Sequence, residues 1–505
     1  MQLPALPGLP LLGCDSFMVL AVFCTVFALV FDLMKRRKWE NYPPGPRGFP
    51  FVGNLLQVDL RNPHLSFGKL WKKYGNVVSL DFGWTNMVVL SGYNTLKEAL
   101  VKKSEDFADR PDLPVFQNVL ERFGSGIVFA KYGQWWREQR KFSLTMLRRF
   151  GMGKKSLELQ IVEEAECLMK MFEEEKGLPF DPRFLINSAV SNIICLIVFG
   201  YRFEYQDEKS VELLHTIKES FQLEGGFWGQ LLNVLPFISH FPGPHHKIFK
   251  NQIKIVHFLQ EVVAEHKVSL NEHEPRDFID AFLAEQKKRK DDPTTSFLES
   301  GIINTVLDLF SAGTETSSTT LCWALLFMVL YPDVQSQVHE EIDRVIGKEG
   351  KPKLEDREEM PFTNAVIHES QRLRNIAPIS LPHQTYRDTT IMGYTIPKGT
   401  AIIPNLTSAL FDEDIWMTPH EFNPGHFLNS DGNFVKPEAF IPFSAGHRVC
   451  LGEQLAKTEL FLFFTSMLQR FTFVLPENEP RPSYREAKFG ITLCPLPYRL
   501  CVKAR

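Results

Sequence analysis

Apolar and polar positions divide this chain into stretches of different character. Residues 17–31 form an apolar run relieved only by Thr25, with Asp15 before it and Asp32 and Lys35-Arg36-Arg37-Lys38 after it. A cleaved signal peptide carries its positive charge before the apolar run. Here the charge follows, so the positive-inside rule keeps the next segment cytosolic. The run is short of the ~20 apolar residues that a span needs, and Leu33, Met34 or the Leu-rich stretch before Asp15 would extend it. Residues 1–34 therefore read as a transmembrane anchor helix. Tyr42-Pro43-Pro44-Gly45-Pro46-Arg47-Gly48-Phe49-Pro50 follows, and so many prolines forbid helix and favour a stiff connector. Residues 35–60 read as a basic stop and proline-rich linker, and 61–505 as one catalytic domain.

Within that domain, 77–82 and 87–90 are β-rich runs around Gly83-Trp84-Thr85-Asn86, the pattern of a hairpin. From about residue 93 to 375 helical periodicity dominates. Strand signals return at 389–394, 400–404, 471–475 and 491–499. The expected fold is a single, mainly α domain with small β-sheets near its two ends.

Residues 297–330 predict one helix, about 50 Å long at 1.5 Å per residue. Its centre, Ala312-Gly313-Thr314-Glu315-Thr316-Ser317-Ser318-Thr319-Thr320, is a poor choice for a helix interior. Such a local conflict is expected at a functional site. Gly313 would let a ligand approach the backbone. Thr316 offers a hydroxyl, and Glu315 a carboxyl able to relay a proton.

The strongest chemical signal is Phe443-Ser444-Ala445-Gly446-His447-Arg448-Val449-Cys450-Leu451-Gly452, directly before a helical run at 453–471. A thiolate there meets free N–H groups and the positive end of a helix dipole, which favour it over the thiol. By itself this implies only a metal ligand. The other cysteines, Cys14, Cys24, Cys167, Cys195, Cys322, Cys494 and Cys501, read as small buried apolar residues. No Cys-x-x-Cys pair occurs, so neither a disulfide framework nor a zinc ribbon is indicated.

The cysteine loop resembles the haem-binding loop of the cytochrome P-450 family, Phe-x-x-Gly-x-Arg-x-Cys-x-Gly, at every fixed position. Residues 312–317 resemble the family's oxygen-activating motif. The resemblance implies the family's mainly helical fold and a haem-thiolate monooxygenase. Haem b would be held through Cys450, with Phe443 in the same loop and Ala312 and Gly313 on the long helix above it. Thr316 would orient dioxygen and Glu315 would deliver protons. Trp136-x-x-x-Arg140 resembles the family's motif at the haem propionates, with Arg448 and His383 as further propionate partners. Glu369-x-x-Arg372 resembles its structural pair. The usual third basic residue is an arginine; here Pro424-Gly425-His426-Phe427 offers His426, a weaker donor than a guanidinium fork.

Composition adds three limits. A net charge of −4 gives no sign of nucleic-acid binding. An apolar content of 44% with 43 phenylalanines suits a large core and an aromatic-lined cavity. No Gly-x-Gly-x-x-Gly or phosphate loop is present. Electrons would therefore come from a partner protein; the resemblance implies NADPH through a separate reductase, with cytochrome b5 as a further donor. Arg137, Lys141 and Lys457 are candidates for the docking face, whereas 287–290 reads as a solvated loop. Asn405-Leu406-Thr407 spells a glycosylation acceptor that a cytosolic domain leaves unmodified.

Tyr42-Pro43-Pro44-Gly45-Pro46, Val366-Ile367-His368-Glu369 and Lys436-Pro437-Glu438-Ala439-Phe440 look like the vertebrate microsomal family 2. Ala189-Val190-Ser191-Asn192, the segment 308–313 and Leu460-Phe461-Leu462-Phe463-Phe464-Thr465-Ser466 look closest to its D subfamily. This implies an endoplasmic-reticulum anchor and lipophilic substrates: drug-like amines, with steroids and fatty acids as further classes. Asp308 and Glu224 would be the acids that hold an amine. Two other readings stay open: a haem-thiolate isomerase or dehydratase, and a non-enzymatic haem sensor.

Overall fold

The computed structural model describes residues 14–35, 39–82, 85–124 and 126–505. Arg36, Arg37, Lys38, Gly83, Trp84 and the stretch before Cys14 lie outside them. The anchor candidate is a helix, Cys14–Lys35, of 22 residues. Thr25 within it is satisfied locally, its Oγ1 donating to Ala21 O at 2.8 Å. Met18, Val19, Val22, Phe23, Val26, Phe27 and Val30 are exposed on it. No single helix among the described residues is long and apolar enough to cross a membrane.

The proline-rich segment is not a free spacer. Ser79 donates its N–H to Pro44 O and its hydroxyl to Pro43 O, at 2.8 and 2.7 Å. A Cβ on Gly45 would lie 1.9 Å from Ser79 O, so only glycine allows this contact. Leu55 and Val58 are buried with Val78, Leu80 and Phe82. The expected boundary at residue 60 therefore falls inside a packed unit, because the prolines present carbonyls to a neighbouring strand.

Helices form the body. The hairpin Val77–Phe82 and Thr85–Leu90 is antiparallel, and Thr85–Leu90 pairs in parallel with Ala401–Pro404, which pairs with His383–Gln384. Thr389–Ile391 pairs with Tyr394–Ile396, and Phe471–Val474 with Cys501–Ala504. The strand signal at 491–499 contracts to Leu493–Pro495, paired with Ala487–Phe489. Lys287 and Lys288 belong to the helix Phe278–Lys288 rather than to a loop, with Lys287 paired to Glu272.

The long helix runs Glu299–Leu330 through the centre, almost wholly buried in its second half. It packs against the helix Arg183–Val198. A Cβ on Gly313 would meet Ile194 Cγ1 at 2.9 Å, so this glycine serves helix contact as well as any ligand. Four hydroxyls of the run are satisfied inside the helix by bonding back one turn, whereas Thr319 donates to Glu315 Oε1. Thr314, Thr316, Ser318 and Thr320 donate to the carbonyls of Phe310, Ala312, Thr314 and Thr316 at 2.7–2.9 Å.

The cysteine reading holds for Cys195, Cys322 and Cys494, which are buried. Cys167 and Cys501 are half-buried, and Cys24 is exposed on the N-terminal helix.

Candidate active site

The cysteine loop is a folded turn, not a flexible link. Gly446 sits at φ +74, and a Cβ there would lie 1.6 Å from Leu100 O. Cys450 N donates to Phe443 O at 3.1 Å, closing the loop across its aromatic residue. The helix Glu453–Arg470 begins three residues after the thiol.

Cys450 lines a cavity of about 400 Å3 together with Ala312, Gly313, Thr316 and Phe443. Its side chain has exposed area, yet burial is the first cause that raises its thiol pKa. The two agree if that area faces the cavity. The N–H groups of Gly452 and Glu453 and the charge of Arg140 pull the pKa down, but burial outweighs them. The N–H donors act in the expected direction, and burial of the metal-free thiol opposes them. A bound cation deprotonates a coordinating thiol outright.

Arg110, Trp136, Arg140 and Arg448 also line the cavity. Arg448 donates to the carbonyls of Ala108, Ile127 and Ala130 and stacks 4.1 Å from the centre of the Trp136 ring. Arg110 donates to Val128, Leu381 and Pro382 carbonyls, and Arg140 to Val449 O at 2.6 Å. Among the described residues none of these guanidiniums forms an ion pair with a carboxylate. Burial lowers the pKa of all three, and Arg110 and Arg140 lower that of Arg448 further. Trp136 Nε1 is buried with no acceptor. Repelling buried cations beside an unpaired donor form a receptacle for carboxylates.

His383 lies near the cavity-lining Arg110 and Arg448, whose charges act on its ring. It is buried in its strand, and its Nδ1 lies 2.7 Å from Phe107 O. Burial and the charges of Arg110 and Arg448 keep its ring neutral.

The long helix divides its polar residues between two sides. Ala312, Thr316, Ser317 and Thr320 line the cavity. Glu315 does not: its carboxyl lies 3.4 Å from Asn187 Nδ2, 3.4 Å from Thr319 Oγ1 and 3.6 Å from Cys494 Sγ. Burial raises its pKa, with Lys218, Cys494 and Thr319 opposing. A carboxyl that does line the cavity, and that sequence reading passed over, is Glu459. Its Oε1 is buried without a partner. Burial pushes its pKa to about 8 against a hydrogen bond from Ser317. Its position in the apolar helix Glu453–Arg470 was the available signal.

Asp308 and Glu224 both line the cavity. Asp308 Oδ2 accepts from Ile127 N at 2.6 Å and Val128 N at 2.9 Å, so it ties the preceding loop to the long helix. A Cβ on Gly126 would lie 2.1 Å from that oxygen. Burial raises Asp308 to about 6, with the two N–H bonds and Arg110 opposing. Glu224 is buried rather than at a solvated entrance. Gln252 Nε2 donates to its Oε1 at 2.8 Å, and burial raises it to about 8. At neutral pH it is mostly an uncharged acid.

Glu369 and Arg372 are fully buried and bidentate, both N–O distances 2.7 Å. His426 Nε2 receives the Thr418 N–H, so Nδ1 carries the proton it offers to Glu369 Oε2 at 3.2 Å. Asn405 is buried and donates to Ser91 Oγ, so it presents no acceptor for glycosylation. Of the docking residues, Arg137 pairs with Glu105, Lys457 with Glu453, and Lys141 is exposed. A second depression beside Cys450 is lined by Arg148 and Lys154.

A sequence model of the family Cytochrome P450 matches residues 43–502. The chain is a cytochrome P450. It is 48% identical to cytochrome P450 2D15 of Canis lupus familiaris, over 98% of this chain and 100% of that protein. It is 49% identical to cytochrome P450 2D4 of Rattus norvegicus, over 96% and 98%. It is 50% identical to cytochrome P450 2J2 of Homo sapiens, over 94% of each. These relatives belong to family 2, mainly to 2D. The protein is accordingly a haem-thiolate monooxygenase with haem as its cofactor. The residues fit that group: a cysteine for the iron, unpaired guanidiniums and an indole N–H for two carboxylates, and apolar walls between.

Proposed function

We propose that this cytochrome P450 inserts one atom of dioxygen into lipophilic small molecules, with electrons from NADPH passed on by a separate reductase. The observation that carries the reading is that Cys450, Thr316 and three unpaired guanidiniums line one cavity. Cys450 would hold the haem iron through its thiolate. Arg140, Arg448 and Trp136 hold the carboxylates, and Arg110 joins them. Haem, when bound, supplies activation of dioxygen. Thr316 orients cavity ligands once its bond to Ala312 O loosens. Glu315 serves as a relay only after a change of rotamer, because Asn187, Thr319 and Cys494 now hold it off the cavity. Glu459 and Ser317 hold a proton on the cavity side without such a change.

Substrate amines meet Asp308 through Oδ1, which accepts from no described residue. Glu224 and Gln252 act as neutral hydrogen-bonding partners below about pH 8. The helix Cys14–Lys35 is proposed as the endoplasmic-reticulum anchor. Exposed Phe227, Trp228, Phe237 and Phe241 support a membrane-facing side. Their segment packs on the proline-rich region, with Leu231, Val234 and Leu235 against the core that holds Leu55 and Val58. The reductase, and cytochrome b5 as a further donor, would dock on the basic face of Lys141, Arg148 and Lys154. An acidic partner suits that face.

The test is oxidation of lipophilic amines and neutral compounds by the purified protein with NADPH and reductase. Turnover is expected with reductase and lost in Cys450→Ser. Full haem loading with no turnover under any reductase would overturn the reading.

A further inference from the structure

Arg374 is a buried-side cation of a different kind from the arginines described above. It caps the helix Pro361–Leu373 and lines the cavity beside Gln371, Asn375 and Ile376. Its guanidinium lies 5.3 Å from the centre of the Trp323 ring and 5.8 Å from that of Tyr484. Among the described residues its side chain makes no hydrogen bond and no ion pair. Its Nε is buried with no partner. Arg372, two residues earlier, shows what a satisfied neighbour looks like: five donated bonds, two of them to Glu369.

We propose that Arg374 anchors the carboxylate of a lipophilic acid whose apolar chain lies in the cavity. The terminal Nη1 and Nη2 groups, which make no hydrogen bond and are less enclosed than Nε, form the edge that accepts a carboxylate in two parallel bonds. The two rings hold the guanidinium in place by cation–π contact, so little order is lost on binding. No carboxylate is among the groups that act on its charge, where only Tyr484 opposes the lowering. Arg485 is a second cation nearby, and burial with Arg485 lowers the Arg374 pKa to about 10. His64 is a neutral neighbour, its Nδ1 buried and unpartnered. An anionic ligand relieves this repulsion, whereas an ammonium adds to it. The site thus selects acids at one wall of the cavity, while Asp308 serves amines at another. The proposal depends on the monooxygenase reading only in naming the ligand a substrate.

The experiment uses the full-length holoprotein and three probes of equal chain length: dodecanoate, 1-dodecanol and dodecylamine. Binding is read by calorimetry and by the ligand-induced shift of the haem absorption band. Dodecanoate is expected to bind about tenfold more tightly than dodecanol, the factor for roughly one charge-assisted pair. Arg374→Gln removes that advantage and leaves dodecanol affinity unchanged. Arg374→Lys keeps the charge without the fork and retains part of the advantage. Equal affinity of acid and alcohol for the wild type overturns the proposal. So does equal loss for both probes in Arg374→Gln, which would mark a structural role. The wild-type and Lys comparisons stand even if the Gln variant fails to hold haem. Dodecanoate that binds through Arg374 but is never oxidised with NADPH and reductase leaves the anchor intact and overturns its reading as a substrate site.

Discussion

Arg372 and the arginines of the cavity are buried in the same protein under opposite conditions. Arg372 spends its donors on Glu369 and on the carbonyls of Leu410, Pro419 and Glu421, and Glu369 also takes His426 and the Asn423 N–H. Nothing further is needed there. Arg110, Arg140 and Arg448 donate only to carbonyls and repel one another. A buried charge is expected to be paired. The first cluster is thus complete as folded, and the second is completed by a ligand that brings carboxylates. The difference teaches where to look for binding: at buried cations that the fold leaves without an anion.

The largest effect should come from breaking the complete cluster. Glu369→Gln strands a buried guanidinium without its anion, which costs about 3–5 kcal/mol. The expected outcome is a large drop in the denaturation midpoint of the holoprotein, with poor haem retention following from it. An equal drop in Glu453→Gln, a half-exposed pair with Lys457, would show that burial is not the cause.

Changes in the incomplete cluster should act on the ligand first. Arg140→Gln keeps a donor for Val449 O but removes the charge. Loss of a charge-assisted bond is worth about 1.5–3 kcal/mol. Haem transfer to an excess of an apo-globin acceptor should therefore speed up by about tenfold or more. The midpoint of the haem-free chain should move little, in contrast to Glu369→Gln. A change confined to the haem-free chain would break the comparison.

The carboxyls give a pH test of the same contrast. Glu224 and Glu459 are raised from 4.5 to about 8 by burial. Between those values the unfolded chain releases a proton that the folded chain keeps. Stability contributed by each group is therefore full below about pH 4.5, falls as pH rises, and levels off above about 8. Glu224→Gln and Glu459→Gln should flatten that decline in denaturant titrations across this window. An unchanged slope in either variant would mean that its carboxyl is ionised in the fold.

How far the sequence reached follows from what each feature depends on. The cysteine loop was legible because Gly446, Arg448, Cys450 and Gly452 act through local backbone geometry. The pair of Glu369 and Arg372 was legible because one helical turn joins them. The side on which a helical residue points was not. Glu315 and Thr316 are adjacent in sequence, yet packing against Asn187 and Cys494 takes one away from the cavity while the other lines it. Glu459 was hidden for the same reason in a helix apolar on nearly every side. Arg374 was invisible because lacking a partner is a property of the whole fold. The docking of 43–58 depended on carbonyls of prolines meeting Ser79, which no proline count reveals.

The smallest and most selective effect is expected at Asp308, which stands between the two kinds of site. One oxygen is used structurally, by the N–H groups of Ile127 and Val128, and the other accepts from no described residue. Asp308→Asn keeps an oxygen for the loop and removes the charge. Amine affinity should fall by about threefold to tenfold, the range of a single partly solvated charge contact, while neutral ligands keep theirs. Asp308→Ala also releases the loop that carries the carbonyl of Ile127, one of the three that hold Arg448. Haem retention should then weaken along with amine binding. If Asn and Ala affect amines and neutral ligands equally, Asp308 is a loop tie alone, and Arg374 is left as the charged side chain that sorts substrates in this cavity.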